Sequence, residues 1–435
     1  MSTRASLSVL RPLLLAAGIA LVAVASGCEP EEKDVVRTGA EMLVESDFQI
    51  LSGEDVGLLV NHTARVDTSH LIDRVHGAPN VDLVALFGPE HGLRGTRGAG
   101  ASVRDGHDAQ TGVPVYSLYD DTRRPTPTEL EGLTTLVFDV QDVGARFYTY
   151  ITTMGRAMQA AARAGVRFVV LDRPNPLGGT YVSGFMMEPD HQSFVGRYPI
   201  PIAHGLTVGE MAQLIKGENL LPGLDSLDLK VVRMQGWNRT MQWPDTHRPW
   251  TPPSPNIPTW ETALVYPGTC FFEAVRVNEG RGTDHPFLQI GLPWTKAAAV
   301  SVRNRLRSRS IPGVAFDTVS FTPTSRPGAA ASPRFEGDRL HGFQIEIVDR
   351  RRTRPVELGM HALHATYQEA RRLRETSFVS RPEHLTRLAG TDTLQMMLRD
   401  GVSPDSIIRS WRETVARFRS LRAPYLLYSP HYDDS

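Results

Sequence analysis

Cysteine is nearly absent from this chain of 435 residues, which has only Cys28 and Cys270. Cys28 ends a leader-like segment, so no intramolecular disulfide is expected after processing. Net charge is nearly absent too. At −1 it provides no overall field to draw the protein to nucleic acid or to an acidic membrane surface. Internal repeats and low-complexity tracts are missing. So is any HExxH-like spacing, and although His91, His107 and His285 could be combined with nearby acids, no metal is expected. The dinucleotide fingerprint is missing as well. Glycines at 92, 95, 98 and 100 interleave with Arg94, Arg97 and Arg104 and open no helix, so no cofactor is expected.

What remains is ordinary globular composition, 41% hydrophobic and 22% charged, in a chain long enough for two domains. The 37 glycines and 31 prolines are dispersed, which implies many loops, as in an enzyme that builds its site on a rigid sheet. The N-terminus stands apart. Arg4 and Arg11 flank "PLLLAAGIALVAVA", too short to span a bilayer comfortably, and "ASGC" follows. Small residues ahead of Cys28 resemble a bacterial lipobox, so the chain is expected to be exported and anchored to a membrane through acylated Cys28. An ordinary signal peptide with an incidental cysteine is the alternative. Cys270, in "CFFEAV", reads as a small buried hydrophobe.

Residues 1–27 are thus assigned to the signal peptide and 28–48 to a tether leading into a first helix. "VGLLV", "VDLVALF", "TTLVFDVQ" and "VRFVVLDR" are apolar runs without alternation, as expected of parallel strands covered on both faces. "TYITTMGRAMQAAARAG" has helical spacing and a stop at Gly165. Strands alternating with helices predict an α/β fold, a Rossmann-like parallel sheet flanked by helices, over 49–260. The Pro/Trp-rich stretch from Trp243 to Trp260 reads as a stiff connector and domain boundary. Beyond it, 261–435 reads as a smaller α+β domain contributing to the cleft. It carries strands in "GVAFDTVSFTPT" and "GFQIEIVDR", a helix begun by Pro355, and a helix "SPDSIIRSWRETVARFRSL" capped by Ser403.

In such sheets ligands bind at the carboxyl ends of the strands. "FGPEHG", "DVQDVGARFYTY" and "LDRPNPLGG" fall there. Glu90 follows a buried strand beside Phe87, where desolvation would raise its pKa toward that of a general acid; capping a turn or pairing with Arg94 is the alternative. Asp139 and Asp142 are candidate catalytic partners, and Asp139 and Gln141 share one side of a strand. Carboxylates, amides and tyrosines suit a sugar. Candidate substrate contacts are His91, Arg94, Gln141, Arg146, Tyr148, Tyr150 and Asn175. A structural Asp–Arg pair closing the loop is the competing reading of the Asp139 cluster. A third cluster, "FFEAVRVNEGRGTDHPF", adds Glu273, Asn278 and Arg281, the last suited to gripping a carboxylate.

Nine collinear pieces resemble one family: "GLLVNHTA", "LFGPEHGLRG", "TGVPVYSLY", "VFDVQDVGARFYTYI", "LDRPNPLGG", "HGLTVGE", "PPSPNIP", "YPGT" and "GRGT…PF". It is the NamZ-type exo-β-N-acetylmuramidases of peptidoglycan turnover, glycoside hydrolase family 171. The resemblance implies release of N-acetylmuramic acid from the non-reducing end of wall fragments. It also implies a Rossmann-like catalytic domain, a smaller C-terminal domain, a cleft between them, and Glu90 as the favoured catalytic residue. Two departures are "HGLT" for an expected "HGMT" and "RVNEGRGT" where the family usually has Ser before the first Gly; the second leaves Glu279 without an implied role. A surface lipoprotein that binds wall fragments without cleaving them is the alternative function.

Overall fold

The computed structural model describes residues 1–3, 35–89, 93–94, 106–118 and 123–430. Residues Val35–Ser435 make one compact unit. Its first strand, β1 (Asp55–Val60), is followed by a short hairpin of β2 (Arg65–Val66) and β3 (Ser69–His70). Then come β4 (Asp82–Gly88), β5 (Gly106–His107), β6 (Pro114–Ser117), β7 (Thr135–Asp139) and β8 (Arg167–Leu171). A hairpin of β9 (Ser183–Met186) and β10 (Pro201–Ala203) precedes β11 (Leu229–Val232). Among the described residues the central sheet has seven strands in the order β11-β8-β7-β1-β4-β6-β5, parallel except for the edge strand β5.

The apolar runs become these strands because both faces of the sheet are covered. In β1, Val56, Leu58 and Val60 enter one core cluster and Leu59 the other; β7 divides Leu136 and Phe138 from Val137 in the same way. Each such side chain taken fully from water contributes about 1.5–3 kcal/mol, which explains why no polar residue alternates with them. Helices Gly39–Glu45 and Leu71–His76 close one face, helices Tyr150–Ala164 and Val208–Gly217 the other. Thr38 with Glu41 and Thr207 with Glu210 form capping boxes that fix where two of these helices start. Gly165, at φ +70°, ends the helix that the sequence pattern predicts to stop there.

The C-terminal part carries a three-stranded antiparallel sheet, β12 (Gln289–Leu292), β14 (Leu340–Ile347) and β13 (Val314–Phe321), with β14 central. Helix Lys296–Arg307 packs on it, and helix Pro355–Arg372, with Pro355 in its first turn as expected, packs on that helix. Two expectations need amendment. The helix read from Ser403 onward is two helices, Pro404–Ser410 and Arg412–Arg422, because the chain turns at Trp411 to bury the indole against Phe185 of β9 (centroids 5.0 Å apart). The Pro/Trp-rich stretch is not a free spacer either. Trp243, Ile257 and Trp260 are buried, Trp250 Nε1 donates to Ile257 O (3.1 Å), and Trp260 Nε1 donates to Pro176 O (2.9 Å).

Helix Trp260–Thr269 crosses helix Pro355–Arg372 with backbone against backbone at Gly268 and Gly359. A Cβ on Gly268 would lie 1.9 Å from Pro355 O, and one on Gly359 2.3 Å from Gly268 O. Gly268→Ala is therefore expected to lower stability by roughly 2–3 kcal/mol through overpacking. The measurement is a urea midpoint shift at constant m-value; an unchanged midpoint contradicts the account of this crossing.

Candidate active site

Polar residues gather at the carboxyl ends of β1, β7 and β8, and they are ordered by one another before any ligand is considered. After β1, Asn61 Oδ1 accepts from the Thr63 backbone N–H (2.9 Å) and hydroxyl (2.6 Å), and its Nδ2 donates to Tyr150 Oη (3.1 Å). Tyr150 donates in turn to Pro253 O (3.0 Å), and His62 Nε2 donates to Pro252 O (2.7 Å). The "PPSPNIP" segment thus lies across the strand ends because its proline carbonyls accept the hydrogens offered there. His70 Nδ1 accepts from Ile72 N–H, so its Nε2 carries the proton given to Asn61 O (3.0 Å). Burial keeps His70 and His62 below the usual histidine pKa, hence neutral.

Asp139, at the end of β7, accepts both Nε and Nη2 of Arg173 at the end of β8 (Nη2–Oδ2 2.9 Å), with both side chains buried. The structural Asp–Arg reading is the one the geometry favours, and Asp139 has no oxygen free of this fork. Gln141 turns to the same β8 loop: its Nε2 donates to Asp142 O (2.8 Å) and Pro174 O (2.9 Å), while its backbone N–H donates to Thr63 Oγ1 (3.0 Å). Asn175 supports both loops, donating to Leu206 O (2.9 Å) and accepting from Leu177 N–H (3.0 Å). It lies so close under Gly144 (φ +75°) that a Cβ there would be 2.4 Å from its Oδ1.

Asp142 is different. Gly144 N–H donates to its Oδ2 (2.6 Å), but Oδ1 is buried with no hydrogen-bond partner, and burial raises its pKa to about 7. His204 stands 3.8 Å away through Nε2; burial, aided by Arg422 and Arg146, depresses that imidazole to about 3. Each group avoids charge because the other cannot supply a full counter-ion in so dry a place.

Arg146 is not free to clamp a substrate carboxylate. Its Nη1 donates to Phe185 O (2.6 Å) and Ile200 O (2.8 Å), its Nη2 to Leu388 O and Ala389 O (both 2.8 Å), and the side chain is buried. Arg94 is likewise engaged, bridging Asp73 and Asp108. Glu90 and His91, and Cys28 at the N-terminus, lie outside the described residues.

Tyr148 meets Tyr150 edge-on (5.1 Å) and Tyr266 (6.0 Å), and Tyr266 meets Phe287 (4.9 Å), over which Arg281 lies at 5.3 Å. This aromatic wall joins the strand ends to the third cluster. There Gly280 and Gly282, both near φ +80°, turn the chain while Asn278 Oδ1 accepts from Gly280 N–H (2.7 Å) and its Nδ2 donates to Arg334 O (2.8 Å). Arg281 is thereby aimed between Glu273 (2.6 Å) and Glu279 (3.1 Å). Burial pushes both carboxyls up, but Arg281 and His384 overcome it at Glu273, bringing it to about 2, while Glu279 stays raised with Oε2 buried and unpartnered. The two neighbouring carboxyls are thus pushed in opposite directions, an arrangement suited to acid–base work. Arg173, His204 and Glu279 are the residues that sequence reasoning missed or left without a role. Their position in "LDRPNP", "HGLT" and "NEGRG" was the one available signal.

A stability experiment isolates Asp142. Between its ordinary value of 3.8 and about 7, the folded state holds a proton that the unfolded state has lost, so this group's contribution falls as pH rises through that range. Asp142→Asn removes the penalty. Relative to the parent, the variant is expected to gain stability progressively from about pH 4 to about pH 7 and to level off above. Melting temperatures across that range test it; a constant difference at every pH would refute the assignment.

Comparison with known proteins supplies the context for this geometry. Residues 56–261 match the family model described as "Exo-beta-N-acetylmuramidase NamZ, N-terminal", and 264–428 match its C-terminal counterpart. A Bacillus subtilis (strain 168) protein named "Peptidoglycan beta-N-acetylmuramidase NamZ" is 41% identical over 402 residues, 91% of this chain and 92% of that one. Two DUF1343-family crystal structures from Bacteroides fragilis NCTC 9343 superpose with TM-scores of 0.82 and 0.73 at 35% and 33% identity. Each match covers 91% of this chain and 99% of the other. The chain belongs to the NamZ family of exo-β-N-acetylmuramidases.

Proposed function

We propose that this protein is an exo-acting peptidoglycan glycosidase that releases N-acetylmuramic acid from the non-reducing end of cell-wall fragments. The observation that carries the reading is the near-full-length match, across both family models, to a relative named for that activity. The strand-end site agrees in kind, since amides, tyrosines and carboxyls preset by mutual hydrogen bonds suit a ligand made of hydroxyls and ring faces.

In this reading Glu90 is the general acid that protonates the leaving oxygen. The 2-acetamido group of the substrate serves as the internal nucleophile, as in other substrate-assisted glycosidases. Arg173 occupies Asp139, and Asp142 is wholly buried, so these two hold the loop 139–146 in position for the acetamido group or water and do not touch the ring. Burial pushes Glu279 toward its neutral form, which leaves the half-buried Arg281 guanidinium attraction for the lactyl carboxylate of the sugar. The same reading places the protein at a membrane through acylated Cys28 and divides the work between 49–260 and 261–435, with the cleft between them.

Glu90→Gln is expected to lower release of muramic acid from a chromogenic muramic acid glycoside by on the order of 10²–10⁴-fold, with the melting temperature retained. Full turnover would remove Glu90 from the mechanism, and tight fragment binding without turnover in the parent would favour a binding lipoprotein. For the anchor, Cys28→Ala is expected to move the protein from the membrane fraction to the soluble fraction of the producing cells, as read by fractionation. Unchanged membrane association would reject lipidation at Cys28.

A further inference from the structure

The run "DRRRTRP" (349–355) joins β14 to helix Pro355–Arg372 and carries four arginines in five positions. The candidate active site makes no use of it. Asp349 shapes the turn. Its Oδ1 accepts from the backbone N–H groups of Arg351 (3.1 Å) and Arg352 (3.3 Å), and its carbonyl accepts from the Thr353 hydroxyl (2.9 Å). Arg351, Arg352 and Arg354 are left exposed.

The arginines outnumber the acids that meet them. Arg350 and Arg351 share one carboxylate oxygen, Asp245 Oδ1, at 2.6 and 3.1 Å. Arg352 and Arg354 meet no carboxylate among the described residues, and Arg354 lies over the ring of Tyr181 at 5.9 Å. Arg351, Arg354 and Tyr181 line a cavity of about 210 Å³ together with Thr180, Thr240 and Gln242, and no acidic residue lines it. The exposed Thr180 hydroxyl bonds to no other described residue and is free to donate. Two cations and a hydroxyl, with no carboxylate in the wall, suit an anion, and an arginine fork matches two phosphate oxygens at once.

This face lies where the compact unit begins. Val36 N–H donates to the carbonyl of Thr246 (3.1 Å), the residue after Asp245, and Val35 is half exposed. Seven residues of chain lead from Cys28 to Val35, a reach of at most about 25 Å. Acylation at Cys28 would therefore keep Val35 within that distance of a bilayer. The net charge of −1 gives the chain no general attraction to an anionic surface, so such a surface must be met by a local patch.

We propose that the 350–354 arginines and the cavity beside them bind the phosphate of an anionic lipid head group, docking this face on the bilayer that holds the anchor. This rests on the reading of Cys28 as acylated. Attraction between basic side chains and a charged bilayer fades within a Debye length, about 8 Å at physiological salt, so a short tether is what brings the patch into range. The contact is screened by salt and orients the body; the acyl chains hold it.

The test is co-sedimentation of residues 29–435, which retain the compact unit from Val35 and lack the anchor, with phosphatidylcholine vesicles made with or without phosphatidylglycerol. Vesicles containing phosphatidylglycerol are expected to bind about tenfold tighter, and Arg351→Gln/Arg354→Gln to reduce that preference to about twofold or less. If the double variant does not fold, Arg354→Glu alone is expected to abolish the preference. Arg74→Gln/Arg163→Gln removes the same charge from exposed positions on helices Leu71–His76 and Tyr150–Ala164, and is expected to leave the preference intact. No preference in the parent, an undiminished one in a folded Arg351/Arg354 variant, or an equal loss in both double variants overturns the site. Glycerol phosphate binding in calorimetry without any vesicle binding, and lost in Arg351→Gln/Arg354→Gln, overturns the bilayer as the source of the phosphate. The anchor reading fails separately: mass spectrometry of the mature protein would find no acyl chain on Cys28 while the vesicle preference persisted.

Discussion

Arg146 sets the terms on which the two parts of the chain meet. Its guanidinium is buried in the loop that leaves β7, and it holds two carbonyls of the β9–β10 hairpin and two more from Leu388 and Ala389, far along the sequence. An ion in so dry a place needs partners for its hydrogens, and here backbone oxygens accept from Nη1 and Nη2 without a counter-charge, while Nε is left without a partner. Arg422 repeats the device from the other side, gripping the carbonyls of Gly179, His204 and Gly205. The loops around the strand ends are thus tied down by cations that cannot move without leaving a charge unsolvated.

This rigidity gives the site its character. Asn61, Thr63, Gln141 and Asn175 hold one another and the backbone, so the strand ends present a preset surface instead of one that must order on binding. Arg173 takes both oxygens of Asp139, while burial pushes the carboxyls of Asp142 and Glu279 up. Carboxyls within a small region are therefore shifted apart, Glu273 down and Asp142 and Glu279 up. The difference comes from which of them meets a guanidinium squarely.

Much of the architecture was legible because it depends on short-range patterns. The runs "VGLLV", "TTLVFDV" and "VRFVVL" had to be strands covered on both faces, and Gly165 had to end a helix, since few residues accept its φ. The pattern failed at Trp411, where helical spacing continued but a buried indole broke the axis, and in the Trp243–Trp260 stretch, where stiffness was read but not its packing onto the strand ends.

At the site, the sequence placed the polar residues on the correct edge of the sheet, because parallel strands send their carboxyl ends one way. It also carried the collinear motifs that identify the family. Partnership was beyond its reach. Arg146 and Arg281 look equally suited to an anion in the sequence, but one is enclosed by carbonyls and the other remains half open beside two glutamates. Residue type, order and period are local properties that a sequence states outright; burial and ion pairing depend on segments distant in the chain, and only the folded structure brings those together.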